Sequence, residues 1–418
     1  MKLSEIVKDM GTLAGGNVLA QAISLAAYFV LLRIYSPADY GLFSIFYSYI
    51  EVLIILSTCK YELAVVQADD EREAAAVAQY TLRMNAIVSA VLLAVALVLW
   101  RTGSLPGDFV ELGWMVVLIP PMVFCCGTSR VYSFLFNRKH RYPTMALSET
   151  VNAASAALLK VVLGLLGLLQ AGMPMGTVAG RGIGNLCYRL QMKQLAMHAT
   201  TRSEQRTAAR KYRNYPFFVA PKDFMNSLSA NLPFLWLAMY FDSAEVGLFG
   251  LALTFTFRPV NLLNVAFEQV LYARVAEGVR VRRSVMPLVR QFLLKLNAVA
   301  LPLFLLAWMV AEPVMVFCFG DKWLGCGIYV RALLPWVFVG LSSTSLMFIS
   351  NVFSRQRTEF LFYVVLIALR VAAMAIGIHA GSFLLAVRLY ATAGMLVSAS
   401  LLVWYLLLLR RYERSIIS

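Results

Sequence analysis

Charge is scarce in this chain, and acids are scarcer than bases. Only 14% of its 418 residues are charged, with 22 Asp or Glu against 37 Lys or Arg; a soluble domain carries roughly 25%. Only three His occur and none sits in a cluster, which leaves no His-based metal or acid–base centre in view. The six Cys residues (Cys59, Cys125, Cys126, Cys187, Cys318 and Cys326) lie mostly in apolar stretches without metal-ligand spacing. They read as small buried hydrophobes, although Cys318 and Cys326 flank one external loop and pairing is the alternative. There is no Gly-rich phosphate loop, no HExxH and no GxSxG. Connections are short, and nothing resembles a separate catalytic domain. No metal, no cofactor and no enzyme activity are expected.

What is present is apolar surface. Hydrophobic residues make up 60% of the chain, against roughly 45–50% in soluble domains. The mean hydropathy is +0.72. This is the composition of an all-α integral membrane protein. A span needs about 20 mostly apolar residues. Twelve candidates result: 11–33, 40–66, 81–100, 113–136, 144–169 and 172–196, then 215–240, 245–272, 285–311, 325–353, 359–379 and 382–409. Gly-rich 172–196 is the weakest of them. Met1 to Met10 is not a cleavable signal; Leu3, Ile6, Val7 and Met10 share one helical face, as in an interfacial helix leading into the first span.

The net charge of +15 would suggest nucleic acid in a soluble chain. Its placement gives a different account. One set of connections carries Lys2, Lys8, Arg72, Arg138, Lys139, Arg141, Arg202, Arg206, Arg210, Lys211, Arg213, Arg280, Arg282, Arg283, Arg355, Arg357, Arg410, Arg411 and Arg414. The opposite set carries Arg33, Arg101 and Lys322. The positive-inside rule then puts both termini in the cytoplasm, and no nucleic-acid partner is implied.

Tyr35-Ser36-Pro37-Ala38-Asp39-Tyr40-Gly41-Leu42-Phe43 recurs 206 residues later as Phe241-Asp242-Ser243-Ala244-Glu245-Val246-Gly247-Leu248-Phe249. Each copy follows one apolar stretch and precedes another. The chain reads as two similar six-span lobes, 1–200 and 215–418, in the same orientation and joined by a cytoplasmic linker at 201–214. That basic, helix-compatible linker reads as a plain connection, with anionic headgroups as an alternative partner. Asp69, Asp70, Glu71 and Glu73 in 67–80 read as a solvated acidic face, since no cation-site spacing is present.

The informative residues are charges inside apolar stretches: Lys160, Arg181, Lys222, Arg258, Lys295 and Arg370. Each would cost about 2.5–3.5 kcal/mol at the membrane centre, and six on the order of 15–20 kcal/mol if exposed to lipid. They are therefore expected to face a wet interior or to be paired. Acids at similar depth look scarce: the first lobe shows none near midplane, Asp223 merely adjoins Lys222, and Glu149 and Glu268 lie nearer the cytoplasmic ends. The expectation is a cationic cavity for an anionic cargo. Snorkelling accounts for Arg130, Arg331 and Arg388, and Lys295 fits either reading. Pro221 beside Lys222-Asp223 and Pro259 beside Arg258 are candidate cavity-lining helix breaks, with a packing kink as the alternative. Of the external acids Asp39, Asp108, Glu111, Asp242 and Glu245, Asp39 and Glu245 belong to the repeated turn and suit helix capping.

The same residues resemble a known family. Arg33 followed by Pro37-Ala38-Asp39-Tyr40-Gly41-Leu42-Phe43 is similar to the first external turn of polysaccharide flippases of the O-antigen type, within the superfamily of multidrug, oligosaccharidyl-lipid and polysaccharide exporters. Lys60-Tyr61-Glu62-Leu63-Ala64 resembles the end of their second span, with Lys where Arg is common. Asn137-Arg138, Asn226, Leu232-Pro233, Gly247-Leu248-Phe249, Gln269-Val270-x-Tyr272 and Phe319-Gly320-x-x-Trp323 also fit.

The resemblance implies twelve helices in two six-helix lobes around a central cavity. It implies alternating access that carries an undecaprenyl-pyrophosphate-linked oligosaccharide from the cytoplasmic to the periplasmic leaflet of the inner membrane. Partners would be that lipid-linked oligosaccharide, membrane lipids and a polysaccharide polymerase, with the flippase working as a monomer. The family serves lipopolysaccharide O-antigen, capsule, exopolysaccharide and teichoic acid pathways alike. A drug/cation antiporter of the same superfamily is the main rival, disfavoured because Gly11 to Leu32 contains no acid. A membrane enzyme of glycan assembly is the rival from a different class.

Overall fold

The computed structural model describes residues 3–105, 109–192, 199–353 and 355–417, and these form helices and turns without a strand. Asp108 and the side chains of Leu3, Ile6, Val7 and Met10 lie outside the described residues. Two compact units divide the chain, Met1–Met239 and Tyr240–Ser418. The first holds α1 (Leu3–Ile34), α2 (Pro37–Thr58), α3 (Glu71–Thr102), α4 (Ile119–Arg138) and α5 (Tyr142–Leu165). It continues with α6 (Leu169–Met192), α7 (Arg202–Lys211) and α8 (Ala220–Trp236). The second holds α9 (Ser243–Arg280), α10 (Met286–Phe319), α11 (Cys326–Thr344), α12 (Gln356–His379) and α13 (Phe383–Ile417).

Among the described residues, nine helical stretches are long and apolar enough to cross a membrane. This is a multi-pass membrane protein. The other three expected spans fall on α1, whose apolar stretch Val18–Ile34 is shorter, and on α6 and α8. Helix α8 groups with the first unit. Three contacts hold it there. Lys60 Nζ meets Asp223 at 2.7 Å, Ser227 Oγ donates to the Glu51 carbonyl at 3.0 Å, and Asn231 Nδ2 donates to Glu51 Oε2 at 3.1 Å.

The duplicated turn is a duplicated helix start. Helices α2 and α9 begin at Pro37 and Ser243, at the same place in the repeat, and Ser36 and Asp242 are the two N-caps. In the first copy, Asp39 accepts the Ser36 N–H at 2.9 Å while Ser36 Oγ accepts the Asp39 N–H at 3.2 Å. In the second, Asp242 itself accepts the Ala244 N–H at 3.2 Å, so the cap comes from Asp242 rather than Glu245. Either arrangement satisfies amides that a helix N-terminus leaves unpaired.

The low hydropathy of α6 has a packing cause. Gly172, Gly176, Gly180 and Gly184 recur every fourth residue and so form one stripe. A Cβ at Gly176 would fall 2.8 Å from the Lys160 backbone N, and one at Gly180 would fall 2.6 Å from Ala156 Cα. Both contacts are with α5. Glycine lets two helix backbones approach closely where lipid gives no hydrophobic drive for association. Apolar bulk was exchanged for contact, and a hydropathy reading records only the loss.

At the basic end of the first unit, α7 is clasped to α3. Thr201 and Glu204 form a capping box at its start. Gln205, Ala208 and Ala209 are buried. Lys211 Nζ reaches Asp69 Oδ2 at 2.7 Å and Glu73 Oε1 at 2.5 Å, and Arg72 reaches Glu204 at 2.6 Å. Lys139 and Arg138 take Glu71 at 2.6 and 3.2 Å. The acidic face of 67–80 is thus solvent-facing and also ion-paired. The Lys211 hydrogen bond holds the Asp69 carboxyl below its ordinary range, and the Thr201 hydrogen bonds do the same for Glu204. Arg138 also donates to the carbonyls of Val65, Val66 and Ala68 at 3.1, 3.2 and 2.7 Å, satisfying acceptors that a helix end leaves open.

Candidate functional site

Glu51 sits fourteen residues into α2, about 21 Å along it at 1.5 Å per residue. Glu149 lies two turns into α5, and Arg181 stands at the middle of α6 beside Gly180. Because the glycine stripe brings α5 and α6 together, Arg181 and Glu149 meet. Arg181 Nη1 donates to both Glu149 carboxylate oxygens at 3.0 Å and to Ser129 Oγ of α4 at 3.3 Å. The two side chains are 22% and 33% exposed.

A cavity of about 270 Å³ opens at this pair. Its walls are Tyr47, Ile50, Glu51 and Ile54 from α2, Cys126, Ser129, Arg130, Ser133 and Phe134 from α4, Glu149 from α5 and Arg181 from α6. Asn231 of α8 holds one Glu51 oxygen. Behind Arg130, Glu62 stands at 4.0 Å and is 1% exposed. Four charged side chains line the cavity, two arginines and two carboxylates, so its formal charge is zero. Charged groups inside a membrane bundle are costly and face the interior or one another; both hold here. Among the described residues, no group of three His, Cys, Asp or Glu side chains is placed to hold a metal ion, and the six thiols are free.

The sequence model of the polysaccharide biosynthesis protein family matches residues 30–327, well over half of the chain. The chain belongs to this family. No curated protein matches it closely in sequence. Its fold recurs in solved transporters. The Lipid II flippase MurJ in an inward closed conformation superposes with a TM-score of 0.72 at 10% identity, over 97% of this chain and 90% of that one. An inward-facing multidrug resistance MATE family transporter of the MOP superfamily gives 0.69 at 14% identity, over 94% and 96%. A MOP superfamily transporter from Pyrococcus furiosus gives 0.58 at 14%, over 98% and 95%. At these identities the likeness shows the fold alone: an all-helical MOP transporter fold.

In this polysaccharide biosynthesis protein the six sequence-predicted cations have different surroundings. Within the first unit, only Arg181 lines the cavity, and it arrives with a carboxylate. Lys160 lies eleven residues beyond Glu149 on α5, about 16 Å away along the axis, with its ammonium 4.8 Å over the Phe43 ring. Lys222 is exposed at the start of α8, and its neighbour Asp223 turns to Lys60. In the second unit, Arg258 and Lys295 are exposed on α9 and α10. Arg370 is buried, its guanidinium 5.1 Å from the Trp336 ring and 4.5 Å from that of Tyr390. An aromatic face is a charge partner that a count of acids overlooks.

The proline expectations divide. Pro221 stands in the first turn of α8, directly after a π-helical turn at Tyr215–Val219, so the helix entry there is irregular. Pro259 does not break its helix: α9 runs through it from Ser243 to Arg280. A membrane helix can absorb the loss of one backbone donor when its neighbours hold it.

Sequence reasoning missed Glu51 and set Glu149 and Arg130 aside, the first as too near the cytoplasm and the second as a snorkelling side chain. The signal for Glu51 was available: a carboxylate seven residues from the end of a 22-residue apolar helix. The expectation of no acid deep in the first lobe followed the cations and overlooked it.

Proposed function

We propose that this protein is a flippase that moves undecaprenyl-pyrophosphate-linked oligosaccharide units from the cytoplasmic to the periplasmic leaflet by alternating access. It performs no covalent chemistry on them. The observation that carries the reading is a polar cavity with four charged side chains inside the helical bundle of a polysaccharide biosynthesis family member. The fold shared with a lipid flippase supports it. Attraction for the pyrophosphate is assigned to the exposed cations, Lys222 in the first unit and Arg258 and Lys295 in the second. The protein works as a monomer in the inner membrane, with both termini cytoplasmic, and hands its cargo to a polysaccharide polymerase.

The test is deletion of the gene with the two leaflets assayed separately. Lipid-linked units should persist on the cytoplasmic side while surface glycan is depleted. Units that reach the outer leaflet normally but fail to polymerise would overturn the reading. A drug/cation antiporter is the second reading, because Glu51 and Glu149 do place carboxylates in the cavity. It is disfavoured because Glu149 is already held by Arg181. Efflux of a cationic dye driven by a proton or sodium gradient, with normal surface glycan in the deletion, would support it instead.

A further inference from the structure

We infer that the cavity of the first unit takes a neutral sugar ring of the cargo, and not its pyrophosphate. The inference rests on the flippase reading above and adds a division of labour within it.

Charge is the first argument. The lining holds Arg130 and Arg181 against Glu51 and Glu149, so no net attraction for an anion remains. Arg181 gives its Nη1 to both oxygens of Glu149 at 3.0 Å, and Glu62 stands 4.0 Å from Arg130. A doubly anionic pyrophosphate would have to displace one carboxylate from its arginine and then sit beside two. Like charges at such range in a low-dielectric interior repel strongly.

Hydrogen-bond complementarity is the second. Carboxylates only accept and guanidinium groups only donate. A phosphate also only accepts, so it can use the arginines but leaves both carboxylates unanswered. Each sugar hydroxyl donates and accepts at once. A ring entering here would donate to Glu51 and Glu149 and accept from Arg130, Arg181 and the serines, without dismantling the pairs. The acceptors are also held in place: Asn231 fixes one Glu51 oxygen at 3.1 Å, and Arg181 fixes Glu149.

Shape is the third. Tyr47 and Phe134 supply aromatic walls, which suit the apolar C–H face of a pyranose. The volume of about 270 Å³ falls just under the roughly 300–1,000 Å³ of sites that enclose drug-sized ligands. It suits one ring and not a whole repeat unit. The cavity then reads part of the sugar, while cations elsewhere meet the headgroup.

The experiment uses the full chain in lipid nanodiscs and two probes: undecaprenyl pyrophosphate, and the lipid-linked oligosaccharide extracted from cells lacking this protein. Equilibrium binding of each is compared for wild type, Glu51→Gln and Tyr47→Leu. The first substitution keeps an acceptor for Asn231 and the second keeps bulk, and melting curves check that both variants fold. Wild type should bind the glycosylated lipid more tightly than the bare one. For the glycosylated lipid, Glu51→Gln should lose about tenfold or more, as expected for one charged hydrogen bond, and Tyr47→Leu about fivefold, as expected for one stacking face, while each stays within about twofold for the bare one. Equal losses for both probes would place the pyrophosphate in the cavity and overturn the inference. So would wild-type preference for the sugar that survives both substitutions, or no preference at all. Failure of wild type to bind either lipid would bring down the flippase reading itself, a separate result.

Discussion

Replacing Gly180 by Ala tests the seam on which the cavity depends. The new Cβ would fall 2.6 Å from Ala156 Cα and 2.7 Å from its backbone N. Both are main-chain atoms of α5, so no side chain can swing aside and the helices must part. Overpacking of this kind costs about 1–3 kcal/mol. Alanine also favours a helix over glycine by up to about 1 kcal/mol, which would mask part of the effect. Gly182 supplies the control. It lies on the same helix, and a Cβ there would meet nothing within 4 Å. Gly182→Ala takes the propensity gain without the clash. The difference between the two variants therefore isolates the packing term at about 1–3 kcal/mol. In thermal unfolding of the purified protein, Gly180→Ala should melt several degrees below Gly182→Ala, and Gly182→Ala should match or exceed wild type. Parting α5 from α6 also separates Glu149 from Arg181, so Gly180→Ala should lower glycan export at equal protein abundance. Equal melting of the two alanine variants would refute the close-approach account of α6.

The Arg181–Glu149 pair should behave as a unit. Glu149→Gln leaves a largely buried guanidinium without its carboxylate and should destabilise by about 1–3 kcal/mol, below the range for fully buried pairs because both groups keep some exposure. Glu149→Gln with Arg181→Gln should recover much of that melting loss; additive losses would show that the pair is not coupled. The clasp on α7 should fail only in strong acid. Asp69 and Glu204 have carboxyls held below their ordinary values of 3.8 and 4.5. Their contribution is therefore complete above those values and is lost as pH falls through the lowered ones. Amide hydrogen exchange in 199–214, corrected for the intrinsic pH dependence of exchange, should show protection at about pH 5 that is lost as pH falls below the ordinary carboxylate range; equal protection throughout would contradict the clasp. For orientation, single Cys at Ser36, Ser104 and Ser243 should react with an impermeant thiol reagent in intact cells, while Cys at Ser203 and Ser284 should not. The reverse pattern would invert the topology.

The repeated turn was legible because it is local. A cap is settled within four residues, so Ser36 and Asp242 announced two helix starts at one register. The apolar runs likewise announced most of the spans. The cavity was not legible, because its chemistry comes from four helices. Glu149 and Arg181 are separated by 32 residues, and nothing in either segment names the other. The cation-centred reading also treated acids as the only partners a cation can have. Phe43 under Lys160, and Trp336 and Tyr390 around Arg370, answer charge with ring faces that are indistinguishable in sequence from core residues. For α6 the failure was one of sign: glycines that mark a tight seam read as a weak span. The grouping of α8 with the first unit rests on Lys60–Asp223 and Glu51–Asn231, pairs no hydropathy pattern could foretell.

The most direct measurement reconstitutes the purified protein in liposomes containing the lipid-linked oligosaccharide extracted from the deletion strain. An enzyme or reagent that cannot cross the bilayer then modifies the sugar from outside. If this protein is a flippase, the pool protected in the inner leaflet becomes accessible with time, and becomes accessible more slowly with Glu51→Gln. An inner pool that stays protected, under conditions where the protein is folded and binds the lipid, would contradict the central claim.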